Sequence, residues 1–126
     1  MPMTTPDLGA YVQRTAALPW CWGVQDCTIW AADWCLIRWG VDPAARYRGR
    51  YHDEAGALAL TRAGLLATVG PEIPLRRKDA PAEGDIGVIE INGRQVAAIW
   101  SGAHWLFRTP RGIGMTSRAA IAIWGD

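Results

Sequence analysis

The residues of this sequence with the clearest capacity for chemistry are three cysteines, Cys21, Cys27 and Cys35, which fall within 15 residues of one another. Such a cluster can be a metal site, a disulfide pair or one reactive thiol with two bystanders. The gaps of five and seven residues between them are not the two-to-four-residue gaps of structural zinc sites. His52 and His104 are too distant in the sequence for the pattern to place them beside the cysteines. We therefore expect no metal ion and no cofactor, with a zinc or iron–sulfur site as the alternative.

Cys27 differs from the other two cysteines in its position. Asp26 is a natural N-cap, and the apolar run that follows predicts a helix over 27–39 that ends at Gly40. A thiol in the first turn of a helix lies near the positive end of the dipole, which favours the thiolate and lowers the pKa. A nucleophile also needs a base to take its proton. Cys27 is therefore the candidate nucleophile and Asp26 the helix cap beside it, whereas Cys35 and Cys21 are expected to be small buried hydrophobes.

The secondary-structure elements that position these residues are predicted to be helices in the first part of the chain and strands in the second. Helices are predicted over 5–18, with Thr5 as N-cap and Pro6 in the first turn, over 27–39 and over 54–68. Residues 71–83 contain three prolines and a charge cluster, and predict an irregular connection. Strands are predicted over 86–91, 95–100, 103–109, 113–115 and 119–124, with a type I′ turn at Asn92-Gly93.

Helices followed by antiparallel strands predict an α+β fold in which the buried central helix 27–39 packs on the C-terminal sheet. The expected organisation is a single domain over 1–126, with a helical part 5–70, the connection 71–83 and a sheet part 84–126. A chain of 126 residues fits one domain, since domains usually have roughly 100–200 residues.

The composition excludes several classes of function. Thirteen basic residues against 12 acidic ones give a net charge of +1, which does not support a broad nucleic-acid-binding face. No apolar run reaches the ~18 residues of a membrane span, and the N-terminal residues do not form a secretory signal. We therefore expect synthesis in a reducing cytoplasm, where disulfides are rare. Eight tryptophans suggest a subunit of a larger assembly, because aromatic residues are enriched at interfaces.

Two short motifs carry a resemblance to a known family. The stretch from Trp22-Gly23 to Asp26-Cys27, which opens a buried helix, and the Gly84-Asp85 step before a β-hairpin resemble the NlpC-type cell-wall cysteine peptidases. These are compact, papain-like enzymes of bacteria and phage tails. The chain looks still more similar to a phage and prophage family of unknown function that is related to those peptidases. That closer resemblance rests on Trp-Gly-x-x-Asp-Cys, on residues 40–43 and 48–51, on Gly84-Asp85 and on the closing Ala-x-x-Trp at Trp124.

The resemblance implies a papain-like fold and a role for each matching residue. Cys27 takes the place of the nucleophile that attacks a peptidoglycan stem-peptide amide, and Asp26 that of its usual predecessor. The catalytic histidine is expected at the start of the second hairpin strand, where this chain has Gln95. Glutamine cannot take up a proton at any useful pH, so a general base is missing there. His104 follows the same strand and is either a substitute base or a half-exposed strand histidine.

Two functional hypotheses follow from the resemblance. The first is a structural component of a phage or prophage tail tip, a pseudoenzyme with lost or weakened catalysis whose partners are other tail-tip proteins. Its location is the virion, assembled in the bacterial host cytoplasm. The second is an active murein hydrolase of the tail, with peptidoglycan as substrate, Cys27 as nucleophile and His104 as base. The loop 46–51 (RYRGRY) is either a docking face for a partner or a solvated loop.

Overall fold

The computed structural model describes residues 7–126 and has an α+β architecture, as predicted. The helices are α1 (Leu8–Ala16), α2 (Cys27–Trp39), α3 (Glu54–Leu60) and α4 (Leu65–Val69), followed by a 3-10 turn at Gly70–Glu72. The strands are β1 (Arg76–Lys78), β2 (Ile86–Ile91), β3 (Arg94–Trp100), β4 (Trp105–Thr109), β5 (Gly112–Thr116) and β6 (Ala122–Gly125). Among these described residues, no helix is long and apolar enough to cross a membrane.

All six strands form one antiparallel sheet in the order β1-β6-β2-β3-β4-β5. Its centre is the predicted hairpin of β2 and β3. Asn92 and Gly93, the two turn residues, have φ angles of 51° and 77°, and both are positive as a type I′ turn requires. This turn fixes the pairing of Ile91 with Arg94 and thereby the register of the whole hairpin.

Helix α2 has the predicted bounds and lies at the centre of the core. The side chain of Asp26 accepts a hydrogen bond from the backbone N–H of Ile29 at 2.9 Å, and Gly40 ends the helix with a φ of 71°. Trp30 and Trp34 are completely buried against β2, β3 and β6. The indole N–H of Trp34 donates to the carbonyl of Gly84 at 2.8 Å, which ties α2 to the start of the sheet.

Two predicted helices differ from the structure. The helix predicted over 54–68 is divided into α3 and α4 by a turn that ends at Gly64, where φ is +99°. This backbone conformation strongly favours glycine and cannot continue a right-handed helix. The start predicted at Thr5 and Pro6 lies outside the described residues. The described helix begins at Leu8, and the carboxylate of Asp7 caps it through the N–H of Ala10.

The connection predicted over 71–83 contains a strand, β1, that was not predicted from the sequence. Strand β1 pairs with β6 at one edge of the sheet and consists only of basic residues. Such a run has no apolar alternation, so its sequence does not predict a strand. Lys78 is held there by an ion pair with the buried carboxylate of Asp85 at 2.5 Å. The sheet therefore begins at Arg76 and not at residue 84.

Candidate functional site

An open cleft of about 570 Å³ lies beside the N-terminus of α2. Cys27 lies on the helix side, and the opposite wall is formed by the start of β3, including Gln95, and the end of β4, including Arg108. Five aromatic side chains line the same space: Trp20, Trp22, Tyr47, Tyr51 and Phe107. The volume lies within the range of small-ligand and peptide pockets. We call this space the Cys27 cleft.

Asp26 is a buried structural anchor of the cleft. Its carboxylate accepts hydrogen bonds from the backbone N–H of Gly23 at 2.8 Å and of Ile29 at 2.9 Å, and from the hydroxyl of Tyr51. The residue is only 1% exposed. Because its two oxygens share three donors, Asp26 holds the loop before α2, the start of α2 and the loop before α3 in one arrangement.

The thiol of Cys27 is not activated in the way that its helical position predicted. Burial, and after it the neighbouring carboxylate of Asp26, raise its pKa to about 11. A contact of 3.9 Å between its Sγ and the hydroxyl of Thr28 lowers the pKa only partly. Desolvation and a like charge therefore outweigh the helix dipole, and the thiol stays protonated at neutral pH.

The two histidines do not supply a base to Cys27. His104 is exposed in the turn between β3 and β4, where its backbone N–H donates to the hydroxyl of Ser101 at 2.9 Å. It is not among the residues that line the cleft, and in the described part of the chain no hydrogen bond joins it to Cys27. His52 is exposed in the loop before α3 and does not line the cleft either.

Gln95, at the position where the resemblance expects a histidine, lines the cleft but serves a structural purpose. Its side-chain oxygen accepts the backbone N–H of Leu66 at 2.8 Å. Helix α4 begins after Gly64, whose lack of a side chain leaves the first turn without a local cap. Gln95 supplies that cap from β3, so the amide links the sheet to α4 on one side of the cleft.

The other two cysteines differ from each other. Cys35 is completely buried in the core, which confirms the prediction of a packing residue. The prediction was wrong for Cys21, which is exposed because it lies in a tight surface turn closed by backbone bonds to Gln25. All three thiols are free. Within residues 7–126, no group of three or more histidine, cysteine or acidic residues is arranged to hold a metal ion.

The basic, aromatic loop 46–51 is largely committed to contacts within the chain. Arg48 forms ion pairs with Asp33 at 2.8 Å and with Asp42 at 2.9 Å, and Tyr51 is buried on Asp26. These contacts fix both side chains within the chain. Of the five basic and aromatic residues of the loop, only Arg46 and Arg50 are exposed.

Arg108 is a buried residue of the cleft whose role was not predicted from the sequence. This arginine is 2% exposed, and its guanidinium donates to the carbonyls of Leu18, Thr109 and Gly112. Its side chain forms no ion pair with an acidic residue in the described part of the chain. The contacts fasten the segment that follows α1 to the β4–β5 hairpin. The only signal in the sequence was a charged residue at an inward position of an otherwise apolar strand.

No curated protein and no solved structure matches the chain. Residues 2–125 match the family described as Domain of unknown function (DUF6950). That match covers nearly the whole sequence, and the chain therefore belongs to this family.

Proposed function

We propose that this protein is a structural component of a phage or prophage tail tip, built on a papain-like, NlpC-type fold that no longer performs peptide hydrolysis. Two kinds of observation support this: the sequence motifs at Trp22–Cys27 and Gly84–Asp85, and the chemistry of the cleft. The other tail-tip proteins are its partners, and the assembled virion is its location.

The observation that carries the proposal is the state of Cys27. A cysteine nucleophile needs either a low pKa or an adjacent base. Here burial and the carboxylate of Asp26 raise the pKa of the thiol to about 11. On the other wall of the cleft stands Gln95, which is already bonded to Leu66 and cannot accept a proton. Loss of general-base help alone costs about 10²–10⁴-fold in rate.

The cleft itself supports a role in binding. It remains open and is lined by five aromatic side chains, the residue type that dominates binding energy at interfaces. An enzyme that has lost its catalytic groups retains the shape and the apolar walls that once held a substrate. These walls are available to a protein partner.

The test is complementation in the phage or prophage that encodes the chain. The gene is deleted, and the wild-type protein, Cys27→Ser or Cys21→Ser is supplied in trans. We expect all three to restore infectious particles equally, and an antibody to detect the protein in purified virions. Cys21→Ser is the matched control, because it removes a thiol that does not line the cleft.

Two outcomes would contradict the proposal. Absence of the protein from purified virions would exclude the structural role. Failure of Cys27→Ser alone, combined with release of peptides from purified peptidoglycan by the wild-type protein, would favour the murein hydrolase with Cys27 as nucleophile.

A further inference from the structure

Strand β5 forms one edge of the sheet. In the described part of the chain it pairs only with β4, and no strand lies on its other side. Its sequence is Gly-Ile-Gly-Met-Thr, which contains no charged side chain. Met115 is 64% exposed, the largest exposed fraction among the large hydrophobic residues that the structure describes. The edge is therefore uncharged and carries an apolar side chain that is open to solvent.

The opposite edge of the sheet is protected by charge. Strand β1 consists of two arginines and Lys78, and both arginines are exposed. Charged edge strands prevent edge-to-edge pairing, because a second basic strand laid against them would place like charges side by side. In β5 this protection is missing, since the nearest charged residues are Arg111 and Arg118, beyond the two ends of the strand. Of the two edges, only β5 is therefore open to pairing.

The register of the sheet determines which backbone groups of β5 face outward. At the turn between β3 and β4, the N–H of Ser101 donates to the carbonyl of His104 at 2.9 Å. Hydrogen-bonded and non-hydrogen-bonded pairs alternate along antiparallel strands. Counted from this bonded pair, every second residue of β4 bonds to β3, and the residues between them, including Phe107, bond to β5. The N–H and C=O groups of Gly114, which pairs with Phe107, therefore point toward β4.

The backbone groups of Ile113 and Met115 point the opposite way, out of the sheet. Strand β4 is the only strand that pairs with β5, and among residues 7–126 no loop or helix forms a backbone hydrogen bond with these two residues. Gly112 and Gly114 are partly exposed, and the exposed surface of a glycine is backbone. The outer edge of β5 is therefore unpaired and accessible.

We propose that β5 pairs antiparallel with the β5 strand of a second copy of this chain, so that two six-stranded sheets join into one. The twofold axis passes between the two Gly114 residues. Ile113 of each copy then lies opposite Met115 of the other, and each such pair exchanges two main-chain hydrogen bonds. The side chains of Ile113 and Met115 project from the same face of β5, since alternate residues share a face. The pairing therefore places the exposed methionine beside an isoleucine that packs against the core.

The sequence of β5 is complementary to itself in this register. Two other registers use the same outward backbone groups. One centred on Ile113 puts Arg111 opposite Met115, and one centred on Met115 puts Ile113 opposite Ser117. The register centred on Gly114 instead pairs the two apolar residues with each other and places Arg111 opposite Ser117, so that no two charges meet. This self-complementarity is the reason to assign the edge to a second copy of the chain.

The assembly closes at two copies. Pairing of β5 with itself uses the same surface on both chains, and the edges that stay free are the two basic β1 strands. A contact made by one strand edge is smaller than a standard interface, so we expect a weak dimer with a Kd of about 100 µM. The inference goes beyond the proposed function and rests on the sheet alone.

The first test is sedimentation equilibrium over about 10 µM to 2 mM protein, a range that brackets the expected Kd. Every sample carries Cys21→Ser, because a disulfide between exposed thiols would also link two copies. Met115→Lys adds a charge to the unprotected edge, and we expect it to raise the dimer Kd at least about ten-fold. Val24→Lys is the matched control, since Val24 is 62% exposed but lies in the turn before α2, outside the sheet.

Two results of this measurement would overturn the proposal. A monomer at every concentration would leave the edge to a strand of a different protein. An equal Kd in Met115→Lys and in the parent protein would place the dimer contact on another surface. A dimer that Val24→Lys retains and Met115→Lys weakens is the result that supports the pairing.

The second test locates the contact in the unmodified strand. Between the dilute and the concentrated protein, amide exchange at Ile113 and Met115 should slow at least about three-fold, whereas Gly114 and Thr116, which already bond to β4, should change little. In a mixture of isotope-labelled and unlabelled protein, intermolecular NOEs should join the methyl group of Met115 to the side chain of Ile113. Protection and NOEs that map to other residues would overturn strand pairing. None of these results depends on whether the protein is present in virions, so the two proposals fail separately.

Discussion

The hydroxyl of Tyr51 donates a hydrogen bond to the carboxylate of Asp26, a residue 25 positions earlier in the chain. Both residues are buried beside Cys27. The bond makes the helix cap of α2 part of the wall of the cleft, and it keeps a negative charge next to the thiol. The residue that starts the central helix is therefore also a residue that suppresses the reactivity of its neighbour.

Replacement of Asp26 by Asn should make Cys27 more reactive. The charge of Asp26 is the second cause of the raised thiol pKa after burial, so its removal lowers that pKa below about 11. The measurement is the rate of Cys27 alkylation by iodoacetamide from pH 7 to pH 10. Both proteins carry Cys21→Ser, because the exposed Cys21 would otherwise react first. An unchanged pH profile would show that the carboxylate does not control the thiol.

Removal of the Tyr51 hydroxyl should destabilise the fold. Tyr51→Phe leaves a buried carboxylate oxygen with one donor fewer, and such a loss costs about 1–3 kcal/mol in the free energy of unfolding. Tyr47→Phe is the matched control in the same loop, because its hydroxyl makes only a long bond of 3.4 Å to the carbonyl of Thr68. Urea unfolding of both variants measures the difference. Equal losses in the two variants would contradict the role of Asp26 as an anchor.

The thiols of Cys27 and Cys35 should make the protein less stable at alkaline pH. Burial raises the pKa of Cys27 to about 11 and that of Cys35 to about 12, from an ordinary value of 9.0. Above pH 9 the unfolded chain releases protons that the folded chain retains, so the free energy of unfolding falls as the pH rises. Each thiol contributes a slope of at most about 1.4 kcal/mol per pH unit.

Urea unfolding between pH 8 and pH 10 tests this slope. Tyrosines of the unfolded chain begin to ionise toward pH 10 in every variant, so the thiol's contribution is taken from the difference between variants. Cys27→Ser should have a shallower slope than wild type. Cys21→Ser, which keeps Cys27 and Cys35, is the control and should retain the wild-type slope. Identical slopes in Cys27→Ser and wild type would show that folding does not raise the pKa of the Cys27 thiol.

Local signals predicted the parts of the fold that depend on neighbouring residues. Asp26 and Gly40 mark the two ends of α2, and Asn92-Gly93 marks the hairpin, because a cap or a tight turn is decided by a few adjacent side chains. Strand β1 could not be predicted in this way, since Arg76–Lys78 become a strand only by pairing with β6. The pKa of Cys27 could not be predicted either, because the desolvation that raises it comes from residues distant in the sequence.

Most residues of the site were predicted from the sequence, but the contacts between them were not. The sequence indicated Cys27, Asp26 and Gln95 as site residues, and the structure brings all three to one cleft. The sequence also indicated His104, which lies outside the cleft. The bond from Leu66 to Gln95 joins residues 29 positions apart, and no periodicity in the sequence reveals such a contact.

Truncation of Gln95 should loosen α4. Gln95→Ala removes the acceptor of the Leu66 N–H, the only side-chain cap recorded for the first turn of this five-residue helix in the described structure. Loss of an N-cap side chain costs about 0.5–2 kcal/mol. We expect a loss of that size in urea unfolding, with faster amide exchange confined to α4. Gln95→Glu keeps an acceptor and should retain most of the stability, so similar losses in both variants would contradict the capping role.

The ion pair between Glu54 and Arg94 should hold α3 across the mouth of the cleft. Helix α3 buries none of its residues, and the pair joins its first residue to β3 at 2.5 Å. Both side chains are at least half exposed, so a double-mutant cycle with Glu54→Gln and Arg94→Gln should give a coupling of only about 0.2–1 kcal/mol, and less at high salt. The effect on α3 should be larger than the effect on the whole fold, because few other contacts fix this helix. Amide exchange in α3 should therefore accelerate in either single variant while exchange in α2 stays unchanged, and equal acceleration in both helices would show that α3 is not held separately.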